Sequence, residues 1–473
     1  MDKIYRAGKK LLTILLTVGL SLVLFACQIG GADTSESTDS PEGSASPTPT
    51  ATEQATDASS ETTPAGSESE TAQAAETEET DTAAAEATDA DEPEPSSGTG
   101  AYTITADTTE DGKSYVSESP DENALRVENE CTAGLNAATI EKLSGDSSNV
   151  STSGSAGLNA ATLLHDGAQL TLTDSDISSD AVGASGAFVY GPETYLIIED
   201  SSIRTSGDAS FGIAAADGAI IAAKSLTVST QGDSSPAIYV AQTGGSISVN
   251  GGTFTTGGTD SPAVDTAGNV SAQNATLRAN HSAAIAISGG GSVTLNDCTV
   301  SGNMAAADDG GGTYTVLLCQ SESDGEQDGQ CTFIMTGGLI NANNGDLFYV
   351  TGTSGVISLT NVTLSLSNGV LLRVAGDDEQ NGAECSLNAG NQVLTGDILV
   401  DDVSSLDLSL TDGTSFTGSI NPDGAAGDVS VTLDDDSAWT LTGDAYLSAF
   451  SGKTKNIETN GYTVYVNGVA ITK

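Results

Sequence analysis

The chain has 473 residues and a formal net charge of −51, with 14 Lys and Arg against 65 Asp and Glu. That balance provides no basic footprint for a nucleic-acid backbone, so no nucleic-acid partner is expected. Anionic polymers would also be repelled, which leaves neutral glycans and protein surfaces as candidate partners. Aromatic residues make up only 4%, so any core must be built from aliphatic side chains.

Residues 1–26 read as an export signal. Lys3, Arg6, Lys9 and Lys10 precede an apolar run from Leu11 to Phe25. The exit, Leu24-Phe25-Ala26-Cys27, resembles a bacterial lipobox. The resemblance implies cleavage before Cys27 and lipid on that cysteine. A diacylglyceryl anchor supplies the two chains a stable membrane hold requires. The expected location is the extracellular face of a bacterial cell membrane.

Residues 27–100 then read as the lipidated cysteine and a disordered acidic stalk. From 31 onward the segment is almost all Ala, Ser, Thr, Glu, Asp, Pro and Gly, without Lys, Arg or aromatic residues. It cannot bury enough apolar surface to offset its ordering entropy. As a coil it spans about 50 Å, and charge repulsion extends it further.

From residue 101 a phrase repeats: two apolar residues two apart, then a third five further on. It reads Leu170, Leu172, Ile177, then Leu196, Ile198, Ile203, then Ile221, Ala223, Val228 and Ile247, Val249, Phe254. It continues as Val270, Ala272, Leu277 and Val293, Leu295, Val300. After an insertion near 305–331 it resumes as Phe333, Met335, Ile340 and Ile357, Leu359, Leu364. Ala133, Leu135, Ile140 is an earlier copy. A step of two keeps one strand face, and a step of five requires a bend. A period of roughly 24 residues marks a solenoid. The predicted fold is all-β, a right-handed parallel β-helix over 101–473 with about 15 coils.

Turn chemistry agrees. Two residues after the middle apolar position stand Asp174, Asp200, Ser225, Gly251, Asn274, Asp297, Gly337, Asn361 and Asp412. Gly and Asn tolerate the left-handed conformation, and Asp and Ser bond nearby backbone. Three late phrases, Cys385-Leu387-Val393, Leu408-Leu410-Phe416 and Val431-Leu433-Trp439, share a second step of six. The heptapeptide AGLNAAT occurs at 133–139 and 156–162 at different phases of the rung, so the two copies are expected on different walls.

Parallel β-helices host pectate lyases and polygalacturonases, so an enzyme is the rival reading. Galacturonan hydrolases resemble one another in an NTD, a DD pair, a GHG and an RIK, and this chain has no GHG and no RIK. Asp pairs occur at 308–309, 377–378 and 401–402. His165 and His281 both read as solvated turn residues. Arg204 and Arg278 share one outward column three rungs apart, about 14 Å, too far to serve one bond. Arg126 and Arg373 are further basic residues in the coils. No catalytic residue is assigned, and the reading leans away from an enzyme.

Asp434, Asp435 and Asp436 in one turn are a weak candidate for Ca2+, which favours several oxygen ligands. No other metal or cofactor is expected. Cys319 and Cys331 flank an acidic segment and are a candidate disulfide. Cys385 reads as a small core hydrophobe. Cys131 and Cys298 have no assigned pairing. Tyr239 and Tyr349 fall outward if Ile238 and Phe348 face in, which makes them candidate glycan-stacking residues.

The rungs, with VTLDDDSAWTLTGDAYLSAF and NGYTVYVNG near the C-terminus, resemble bacterial right-handed β-helix surface proteins of adhesin-like type. The resemblance covers about 102–473 as architecture and is most specific at 429–468. It implies an exported, cell-attached rod and brings no catalytic constellation. The sequence therefore reads as a lipid-anchored β-helix serving adhesion or glycan binding. The alternatives are a spacer without a specific ligand, and a lyase or hydrolase of the pectin-lyase-like fold.

Overall fold

The computed structural model describes residues 98–305, 312–321, 329–377, 381–424 and 427–472. The leader, Cys27 and nearly all of the stalk lie outside the described residues.

The repeating phrase folds as a parallel β-helix with three walls. A representative coil begins on wall A with Ala187–Tyr190. It turns through Gly191 into wall B, Tyr195–Glu199, and bends at Asp200 into wall C, Ser202–Thr205. A loop returns it to wall A at Ile213–Ala216, one level along. Wall A is a 12-stranded sheet, and walls B and C belong to a 22-stranded sheet. A four-stranded sheet from Val393–Thr395 to Ile457–Glu458 continues wall C.

The register aligns the predicted phrases with one another. Leu170, Leu196, Ile221, Ile247, Val270, Val293, Phe333 and Ile357 stack as one column. Ile140, Ile177, Ile203, Val228, Phe254, Leu277, Val300, Ile340 and Leu364 stack as another. Like side chains therefore pack on like, and nearly all of these residues are buried in one continuous core.

All nine predicted turn residues have positive φ, from 49° at Asp174 to 71° at Gly251. Their N–H groups donate along the rod: Asp174 to Glu199 O at 3.2 Å, Asp200 to Lys224 O at 3.0 Å and Gly337 to Thr360 O at 2.9 Å. At the C-to-A corner a second ladder is internal. Ser210, Ser235 and Ser261 are fully buried. Each accepts at Oγ from the coil before, from Ala184, Ser210 and Ser235 N–H respectively, all at 2.9 Å. The ladder satisfies polar groups that water cannot reach.

Four sequence expectations change. The coil count falls: twelve strands stack on wall A and the Ile398–Ile420 bridge adds a thirteenth level, rather than about 15. Dividing length by period overcounts because some chain leaves the repeat. The excursion at 143–161 carries a helix, and the last residues form a cap. In that cap, Ala445–Leu447, Val464–Val466 and Val469–Ala470 make a three-stranded sheet closed by an antiparallel pair. Second, part of the segment read as an insertion is a wall strand. Tyr314–Cys319 sits in register between Ile285–Ile287 and Asp346–Thr351. Third, the step of six is not shared by all three late rungs. The stacked set is Leu387, Ala389 and Leu394, because Leu387 pairs with Ile357 and Leu394 with Phe416. Val393 is 66% exposed, whereas Leu394 is buried. Fourth, a polar first coil precedes the predicted ones, with Thr108, Glu110 and Tyr115 in register with Ala133, Leu135 and Ile140.

Candidate functional site: the outer face of wall A

Wall A strands alternate. Ile238 and Phe348 face the core and are fully buried, which turns Tyr239 and Tyr349 outward as expected. The outward column runs Leu163, Phe188, Ala214, Tyr239, Asp265, Ala286, Leu317, Tyr349, Arg373 and Leu399. Its two halves differ.

In the first half, outward residues are covered. Leu163, Phe188 and Ala214 are fully buried in a second apolar cluster with Phe211. Part of the cover is Phe211 and the chain at Gly157, where helix α1, Val150–Ala156, ends; the helix is opened by Asn149, whose side chain accepts from Thr152 N–H at 3.1 Å. The helix ends at Gly157, φ 72°. A Cβ there would sit 2.7 Å from Phe188 and 2.8 Å from Leu163, so only glycine lets the backbone lie this close. Tyr239 borders this cluster, its ring 4.3 Å from that of Phe211. Burial, with Asp265 nearby, pushes its phenol up to about 12. Tyr239 is thus half-buried, with its ring packed against Phe211.

In the second half no described segment buries the column. Tyr314 and Tyr349 approach with ring centroids 5.4 Å apart, tilted by 40°. They line a cleft of about 390 Å³ with Thr313, Asp346 and Arg373. Asp346 is held from two sides: Arg373 Nε donates to Oδ2 at 2.6 Å and Asn368 Nδ2 to Oδ1 at 2.8 Å. The Asp346 side chain is 8% exposed and that of Arg373 41%, so the carboxylate is shielded while the arginine reaches solvent beside the cleft. Burial pushes the Tyr314 phenol up. The arrangement offers aromatic surface beside fixed polar groups. Sequence reading found Tyr349 by alternation but missed Tyr314, Asp346 and Asn368. Tyr314 was hidden because its strand was read as an insertion.

A larger cleft, about 830 Å³, lies at the A-to-B turns of the early coils, lined by Glu130, His165, Asp166, Tyr190, Glu193 and Asp217. Here His165 departs from expectation: it is 5% exposed rather than solvated. Its position directly after wall strand Thr162–Leu164 turns the ring into a brace with buried Arg126. Arg126 Nε lies 3.0 Å from both Glu128 Oε2 and His165 Nε2, and His165 Nε2 lies 2.9 Å from Glu128 Oε2. Arg126 also donates to Gly98 O at 2.8 Å, which ties down the start of the rod. His281 is exposed, with Nδ1 2.6 Å from Gly257 O.

Other candidates occupy structural positions. Arg204 and Arg278 are indeed three levels apart in one exposed column. Asp434 accepts from the N–H groups of Asp412 and Ser437, both at 2.8 Å, and of Asp436 at 3.1 Å. A side-chain hydrogen bond with Ser437 foremost, and these backbone bonds after it, hold its carboxyl below the usual range. Asp435 pairs with Lys453 at 2.5 Å. Among the described residues no group of three or more His, Cys, Asp or Glu is placed to hold a metal ion. Cys331 Sγ donates to Cys319 O at 3.6 Å, so the two residues of the candidate disulfide are neighbours. Cys385 lies in the core, and burial pushes its thiol up to about 12. Asp401, of the 401–402 pair, accepts from Gly376 N–H at 2.7 Å.

Comparison with known proteins places the fold. Residues 124–321 match the family model described as right handed beta helix region. A chain in the cryo-EM structure of the Vag8–C1 inhibitor complex is similar at 20% identity with a TM-score of 0.51, covering 73% of this chain and 81% of that one. No curated protein matches. The stacked register and the family match agree on one architecture: the described residues from 98 onward form a parallel β-helix, and 124–321 match the right-handed form.

Proposed function

We propose that this protein is a surface-anchored rod that binds glycans through the open half of wall A. Lipid on Cys27 would hold it to the extracellular face of the membrane, and the acidic stalk would carry the rod outward. The observation that carries the binding reading is the pair of tyrosines, 5.4 Å apart, over a cleft braced by Asp346, Arg373 and Asn368. Sugar rings present apolar faces that stack on aromatic rings and edge hydroxyls that need fixed donors and acceptors. Asp346 is engaged by Arg373 and Asn368. Positioning and recognition suit such a carboxylate better than proton transfer.

The test is a glycan array on the full chain, with reducing-end and unsaturated-product assays on the same polysaccharides. Saturable binding lost in the Tyr314→Ala/Tyr349→Ala double variant supports a glycan-binding rod. New chain ends would replace it with a lyase or hydrolase. Undisturbed binding in the variant would move the site elsewhere. For the anchor, Cys27→Ser should abolish fatty-acid labelling and leave the leader uncleaved, read as a larger mass on the full chain.

A further inference from the structure

Arg373 is the only Lys or Arg between Arg278 and Lys453, so a single cation stands in a long acidic and neutral stretch of the rod. It follows Tyr349 in the outward column of wall A and borders two clefts. One is the tyrosine cleft. The other is smaller, about 170 Å³, and carries Asp401 and Asp423 on its lining. Neither cleft is lined by another Lys or Arg.

The guanidinium is only partly used. Nε donates to Asp346 Oδ2 at 2.6 Å, while Asp346 Oδ1 accepts from Asn368 Nδ2 at 2.8 Å. Asp346 thus holds the arginine at one nitrogen. Nη1 and Nη2 make no hydrogen bond or ion pair with the described residues, and neither is sealed from solvent. A guanidinium held at Nε still has its Nη1–Nη2 edge, whose two parallel N–H groups match the two oxygens of a carboxylate. Water can satisfy that edge, so the fork alone names no ligand. Its neighbours do. Tyr314 and Tyr349 line the same cleft, and Tyr349 stands one level from Arg373, about 4.8 Å along the rod. That step lies within the span of one sugar ring and a carboxyl substituent. A ring packed on the tyrosines therefore brings its carboxylate to the arginine. A polyanion fares worse. A second carboxylate finds no second cation, and toward the smaller cleft it meets Asp401 and Asp423.

We propose that Arg373 makes the tyrosine cleft a subsite for an acidic sugar bearing one carboxylate, a sialoside or a uronide. The proposal rests on the glycan-binding reading of this cleft and narrows it. The experiment is calorimetric titration of the full chain with pairs that differ at one carboxylate. The pairs are 3′-sialyllactose against its methyl ester, and cellobiouronic acid against cellobiose, so the two sugar sources are read separately. The acid of at least one pair should bind about tenfold tighter or more. That gap should narrow at about 0.5 M salt, where partly exposed charges are screened. Arg373→Gln/Asp346→Asn removes both charges and leaves no shielded carboxylate unpaired, so it should erase the gap with the circular-dichroism melt retained. Equal binding of acid and uncharged partner, lost in Tyr314→Ala/Tyr349→Ala, would overturn the carboxylate subsite and leave the glycan reading standing. A gap that survives Arg373→Gln/Asp346→Asn would also overturn it. Polygalacturonate bound more tightly than either acid would overturn the restriction to one carboxylate. No binding by any member would overturn both readings.

Discussion

The two halves of wall A's outer column share a backbone but not an environment. Near the N-terminus, Leu163, Phe188 and Ala214 point out of the solenoid yet are fully buried, packed with Phe211 and, at Phe188 and Leu163, against the chain at Gly157. Toward the C-terminus, Tyr349, Arg373 and Leu399 hold the same positions and line open clefts. A parallel β-helix therefore carries a second, optional layer. Where an excursion covers the wall, outward residues contribute stability. Where no described segment does, the same positions line clefts that a ligand can enter.

The largest effects should come from truncating covered residues. Phe188→Ala should cost about as much as the inward Phe348→Ala, roughly 3–5 kcal/mol each, since both remove a fully buried ring. Chemical denaturation would show it, and a cost below about 1 kcal/mol for Phe188→Ala would mean that the cover is not closed. Gly157→Ala forces a side chain into the left-handed region and against Phe188, at about 2 kcal/mol. The same substitution at Gly413 meets nothing within 4 Å and should cost less. Tyr349→Ala should reverse the pattern. Its stability cost is expected near or below about 1 kcal/mol, while glycan affinity falls about tenfold. Tyr239→Phe, at the edge of the covered half, should leave binding unchanged and shift stability by less than about 0.5 kcal/mol.

A pH effect separates the first coils from the rest. Lys142 is fully buried, and its ammonium donates to Ser117 Oγ at 3.2 Å, to Glu122 O at 2.8 Å and to Ser119 O. Burial lowers it from 10.5 to about 8, against the pull of Glu122, Asp121 and Asp146. Below about pH 8 the group is charged whether the chain is folded or not, and burying that charge is a constant cost. From pH 8 to 10.5 the unfolded chain holds the proton that the folded one has lost, so this group's contribution to stability rises with pH. Melting temperatures of wild type and Lys142→Met, compared across that window, should show wild type gaining relative to the variant. Parallel curves would contradict the assignment.

The core of the rod was legible because its signal is local and repeated. Two-residue steps, one bend and a left-handed turn residue recur, and each has its own physical reason. The errors fall where locality fails. Val393 and Leu394 are equally apolar neighbours, and only the stacking of Leu394 on Phe416 distinguishes them. AGLNAAT folds once as wall B strand Thr132–Asn136 and its turn, and once as the end of α1 leading into wall A. The second copy is captured by a helix that no periodicity announced. The first coil was invisible because a terminal coil has one open side. Polar Thr108 and Glu110 are tolerated there, and Tyr115 hydrogen-bonds to Glu110. His165 was misjudged because its partners, Arg126 and Glu128, lie 39 and 37 residues away along the chain. Of the candidate site, alternation gave the direction of Tyr349. It gave neither the partner ring of Tyr314 nor the cover over the column at Phe188.

The most direct test of the account is saturation-transfer NMR on the full chain with the glycan that binds best on the array. Wild type would be compared with Tyr314→Ala/Tyr349→Ala and with Tyr239→Phe. The account expects transfer to the sugar ring protons in wild type and Tyr239→Phe, and its loss in the double variant with the fold intact. Transfer that persists in the double variant would contradict a binding site on the open half of wall A.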